Sequence, residues 1–107
     1  MTATSQRSGN AFTGLGVQDP EEHALKAELL RHIAATIEAQ QLTQRAAGER
    51  LGIGQPEVSR MLGRNFRTFS VERLMHFLVI LGQDIEIRVI PAQPGRSEAT
   101  RITVIAG

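Results

Sequence analysis

The 107-residue chain is long enough for one domain with a single core, and its 41% hydrophobic content argues against disorder over most of its length. Four Phe with no Trp or Tyr make the expected core aliphatic, and the absence of cysteine excludes disulfides, thiol catalysis and cysteine-ligated zinc. The net charge of +1 hides a polarity: residues 16–40 carry five acids against Lys26 and Arg31, whereas residues 41–73 carry six Arg against three Glu. Eleven of the twelve cationic residues are Arg, so the basic middle is either a footprint for a polyanion or a solvated helix face.

Residues 1–9 read as a disordered polar tail, without the basic-then-apolar order of a signal peptide. The Gly-punctuated stretch 10–17 offers Phe12 and Leu15 as anchors. Asp19 is a candidate N-cap with Pro20 at the first helical position, and Leu25, Leu29, Ile33 and Ile37 follow at four-residue spacing, with Leu30 and Ala34 widening the stripe. That spacing predicts a long amphipathic helix ending near Gln40. Thr43 caps a short helix over 44–51, which Gly52 stops; Gly54 opens a third helix with Pro56 in its first turn, and Gly63 ends it. Phe66 and Phe69, in the loop that follows, are expected to plug the core. Ser70 caps a fourth helix carrying Leu74, Phe77, Leu78 and Leu81, with Gly82 as its stop.

The period then changes. In DIEIRVI (84–90), Ile85, Ile87 and Val89 alternate with polar residues and predict a half-buried strand; 91–97 reads as a turn, and 99–105 as a second candidate strand. The expected organisation is a mainly-α domain over 10–82 with a β-strand or hairpin appendage over 83–107. The longest apolar run, at 77–81, is too short for a bilayer, so the chain is expected to be soluble and cytoplasmic.

Residues 42–64 carry the functional signal. Two short helices joined by a glycine turn can cross at a wide angle when three positions cooperate: a small residue at the crossing, a residue tolerating positive φ in the turn, and an apolar residue facing back. Gly48, Gly52 and Val58 supply these three, which specifies a helix-turn-helix near 43–62.

On these residues the chain resembles the lambda repressor/Cro-like, or XRE-type, family. The matching pieces are Leu42-Thr43-Gln44, Gly48, Leu51-Gly52-Ile53-Gly54-Gln55 and Val58-Ser59. The stretch NAFTGLG (10–16), the FLVILG helix end (77–82) and the strand beginning Asp84-Ile85-Glu86-Ile87 place it near HigA-like antitoxins and phage-associated regulators. Gly48 stands where that family usually has Ala, and Gly54 where it usually has Ser or Thr.

The resemblance implies that the helix beginning at Gly54 reads the major groove. Gln55 would then bond adenine, Arg60 guanine or a phosphate, Ser59 a base or a phosphate, and Pro56 a thymine methyl. Thr43, Gln44, Arg64 and Arg67 are the expected phosphate contacts. Each has a plainer alternative, with Thr43 as an N-cap alone and Arg60 and Arg64 as solvated charges; the role of Glu57 is open. One such unit reads half an operator, so a homodimer on an inverted repeat is expected, with Ile85, Ile87 and Val89 at the dimer contact unless the hairpin packs on its own domain.

No chemistry competes. His23, His32 and His76 have no metal-ligand spacing, no Gly-x-Ser-x-Gly is present, and Gly52-Ile53-Gly54 lacks the third glycine of a dinucleotide loop. The chain is expected to be no enzyme and to need no cofactor or metal. Three readings follow: an autorepressing antitoxin with a cognate toxin, suggested by small size, the long first helix and no ligand-sensing domain; a stand-alone regulator; or a protein-interaction module on the same fold.

Overall fold

A computed structural model describes residues 19–63, 65–95 and 102–106. The stretch 10–17, Arg64, residues 96–101 and the side chains of Asp19 and Pro20 lie outside this description, and with them the expected N-terminal anchors, the first cap and part of the second candidate strand. Four helices are described: α1 (Asp19–Ala39), α2 (Gln44–Leu51), α3 (Gln55–Leu62) and α4 (Val71–Ile80). The long α1 packs mainly on α4, and α2 packs on α3, so the short helix pair sits across the face of the longer one.

The core follows from the periodicity. Leu25, Leu29, Ile33 and Ile37 of α1 are buried together with Leu30, whereas Ala34 faces solvent. At about 100° per residue, Ala34 falls some 60° beyond Ile37, past the edge of the face that α4 covers. By the same geometry Lys26 falls between Ile33 and Ile37, on the buried face, and it is 8% exposed. Val58, Met61, Leu74 and Leu81 are fully enclosed, and Phe66 and Phe69 close the core from the loop after α3. Phe69 meets Phe77 edge-on at 6.3 Å, with the Arg73 guanidinium over both rings.

Local chemistry sets the element ends. The Thr43 hydroxyl accepts the Ala46 N–H and the Ser70 hydroxyl accepts the Arg73 N–H, each satisfying a first-turn donor. The end of α1 is less conventional, because Gln41 takes the left-handed turn at φ 57°, where glycine is the usual occupant. Gln40 ties the three helix ends together: its amide donates to the Leu81 carbonyl at 2.7 Å and accepts from Arg50 at 3.1 Å.

Beyond Gly82 the structure departs from the expected appendage. Residues 83–93 form no ladder, and no strand occurs among the described residues. Alternation specifies a surface with one apolar side, but a strand also needs an edge to bond, and none of the described residues provides one. Residues 102–106 are also without a ladder. There Val104 packs on the core, and its N–H donates to the Glu28 carboxylate at 2.7 Å.

Candidate nucleic-acid interface

The angle between α2 and α3 comes from one close approach. A Cβ on Gly48 would lie 2.7 Å from the Ile53 carbonyl oxygen and 3.3 Å from Val58 Cγ2. Glycine at 48 therefore lets the turn backbone pass directly over α2. The Gly48 carbonyl accepts both the Gly52 and the Ile53 N–H, and Gly52 turns the chain at φ 76°. Val58, wholly buried, faces back into this junction. The sequence makes Gly48 the small residue at the crossing, and the structure brings the Ile53 carbonyl close enough that even a Cβ would have to displace something.

With Val58 and Met61 inward, the outer surface of α3 presents Gln55, Pro56, Ser59 and Arg60, all exposed. Gln55 and Ser59 share a face at the i, i+4 spacing, and the short polar chains leave the helix surface low enough to enter a groove. Glu57 is oriented by its own helix. Its Oε1 accepts the Gly54 N–H at 3.2 Å, while Oε2 lies 3.9 Å from Arg60 Nη2. This is half a capping box, since glycine has no side chain to return the bond. The carboxylate thus caps α3 and loosely holds the arginine that stands ready beside it.

Thr43 and Gln44 are exposed at the start of α2. The Thr43 hydroxyl accepts from Ala46 and still has its own proton to donate, so capping and phosphate contact are compatible. Arg67 is exposed on the loop after α3. That loop is fastened from an unexpected quarter: Lys26 of α1 donates to the Arg67 carbonyl at 2.9 Å, pairs with Glu22 at 3.3 Å, and is flanked by His23 stacked on Phe66 at 4.9 Å. Lys26 was absent from the sequence-derived candidates, although it is the chain's only lysine and sits in phase with the apolar stripe. Ile85, Ile87 and Val89 follow α4 in the chain and are 37%, 77% and 92% exposed.

Among the described residues no group of His, Asp and Glu is placed to hold a metal, and no helix is long and apolar enough to cross a membrane. The surface is one of polar and arginine side chains on a rigid helix pair. A family model described as a helix-turn-helix domain matches residues 11–90. A solved structure whose name assigns it to the XRE family of transcriptional regulators is 44% identical, with a TM-score of 0.73 over 84% of this chain and all of that one. No curated protein matches.

Proposed function

The chain belongs to the helix-turn-helix domain family, and from that premise we propose that it is a sequence-specific DNA-binding transcriptional regulator of the XRE type, without catalytic activity. The observation that carries this is the projection of Gln55, Pro56, Ser59 and Arg60 from a helix whose opposite face is locked in the core by Val58 and Met61. In this reading α3 enters the major groove. Gln55 bonds an adenine edge, Arg60 a guanine edge or a phosphate, Ser59 a base or a phosphate, and Pro56 packs on a thymine methyl. Thr43, Gln44, Arg64 and Arg67 hold the flanking phosphates, which sets register rather than sequence.

The protein acts as a homodimer on an inverted repeat, with half-sites about 34 Å apart or a multiple of that. The finer reading is a HigA-like antitoxin that represses its own operon. It is supported by the family resemblance of 10–16 and 77–87 and by exposed apolar side chains outside the DNA face, among them Val79 and Ile80 on α4. A stand-alone regulator uses the same DNA mode, and an adjacent toxin-sized reading frame separates the two.

Fluorescence anisotropy with DNA from the gene's own upstream region, against a scrambled duplex at about 150 mM salt, tests the DNA reading. Preference for the native duplex is expected at roughly a hundredfold or more, and Gln55→Ala and Arg60→Ala should each erode it. Equal, weak binding to both duplexes would reduce the helix pair to a scaffold for protein contact.

A further inference from the structure

Residues 84–90 leave α4 as an unladdered extension whose apolar and charged residues alternate, and Ile87 and Val89 stand almost wholly in solvent. As a strand, the segment would set Ile85, Ile87 and Val89 on one side and Asp84, Glu86 and Arg88 on the other. We propose that this segment docks on a second copy of itself, as an antiparallel pair whose twofold axis passes beside Ile87. The proposal deepens the dimeric reading above and rests on it.

Charge selects the partner and the register. Antiparallel registers that place apolar residues opposite apolar residues can be centred on residue 86, 87 or 88. Centring on 86 sets Glu86 against Glu86 between two Asp84–Arg88 pairs, and centring on 88 sets Arg88 against Arg88; each register contains a repulsive cross-strand pair at its centre. Centring on 87 sets Glu86 against the second copy's Arg88, and Arg88 against its Glu86. The other side then carries Ile87 against Ile87 and Ile85 against Val89 twice. Asp84 meets Ile90 only at the fraying ends. In-register parallel pairing is disfavoured for the same reason, since each charge would lie beside its own kind. Of the three registers only the one centred on 87 makes opposite-charge pairs without a like-charge pair, and pairing would satisfy one backbone edge that now bonds no strand among the described residues. The exposed Val79 and Ile80 on the last turn of α4 provide further apolar surface next to the start of the segment.

Because the chain contains no cysteine, single cysteines report the register directly. Under mild oxidation without DNA, Ile87→Cys should give a covalent dimer on a non-reducing gel, since opposed Cα atoms lie about 4.5–5.5 Å apart. Ile85→Cys or Val89→Cys alone should not, since each lies about 13 Å along the strand from its own copy. An equimolar mixture of those two should link. In sedimentation, Glu86→Arg should weaken self-association at least tenfold, and Glu86→Arg with Arg88→Glu should restore it. Linking at all three single positions, a wild-type dimer indifferent to Glu86→Arg, or a wild-type monomer would each overturn the proposal. A linked Ile87→Cys dimer that ignores its own upstream DNA would instead refute the DNA reading and leave this register standing.

Discussion

Three residues decide most of what the proposed DNA-facing surface can be. Gly52 adopts a φ of 76° with open space around it, so Gly52→Ala meets only backbone strain. It should cost about 1 kcal/mol, seen as a fall of about 4–8 °C in the circular-dichroism melting temperature of a domain this size. Gly48→Ala is a different experiment. Alanine favours a helix by about 1 kcal/mol, but its Cβ would meet the Ile53 carbonyl oxygen at 2.7 Å, and a backbone atom cannot rotate away. A net loss of stability is expected, with a loss of DNA affinity larger than the loss of folded protein explains, because α3 is re-aimed. Lys26 acts through the loop it holds. Lys26→Met should destabilise the fold by about 1–3 kcal/mol by removing the donor that satisfies the Arg67 carbonyl, and speed amide hydrogen exchange in residues 65–69.

At the scale of elements, the proposed interface divides the work of reading and holding DNA between α3 and the loop behind it. Glu57 is where the two demands conflict. Its carboxylate caps the helix through the Gly54 N–H, yet brings a negative charge to the surface proposed to face phosphates. Glu57→Gln keeps the accepting oxygen and should raise DNA affinity several-fold at unchanged melting temperature. Glu57→Ala removes the half-box as well, at about 0.5–1 kcal/mol of stability. Arg67→Ala should weaken binding to native and scrambled duplexes alike and reduce the slope of log K against log salt by about 1. If Arg67→Ala changed sequence preference instead, the loop would be reading bases and the division proposed for the interface would fail.

Over the whole molecule, α1 and α4 are the platform and the α2–α3 pair is what they carry. Leu74 of α4 is fully enclosed, and Leu74→Ala should cost about 2–5 kcal/mol and lower the urea midpoint with little change in slope. Much of this platform was legible in advance. The caps Thr43 and Ser70 and the stop at Gly52 stand where short-range chemistry puts them, because each depends on atoms within a few residues, and Phe66 and Phe69 are buried as two large apolar side chains in a polar loop imply. Ala34 was not legible because it lies past the edge of a stripe whose width is set by the partner helix, and Lys26 because a lone charge inside the stripe is buried only when a distant carbonyl receives it. Gln41 was missed because a non-glycine residue in the left-handed region leaves no compositional mark.

What this chain determined by itself was therefore local: four helices, the ends set by Thr43, Gly52 and Ser70, the glycine-permitted crossing of α2 on α3, and the outward set Gln55, Pro56, Ser59 and Arg60. Hydrogen bonds to the nearest backbone and the 3.6-residue period suffice for these. Only the tertiary structure decided that Lys26 is buried beneath the Arg67 loop and that Ala34 lies outside the covered face. It also left residues 84–90 without the ladder their alternation implies. Each of these depends on what approaches from far along the chain or, for a strand edge, from outside it, and no pattern within a short window encodes that.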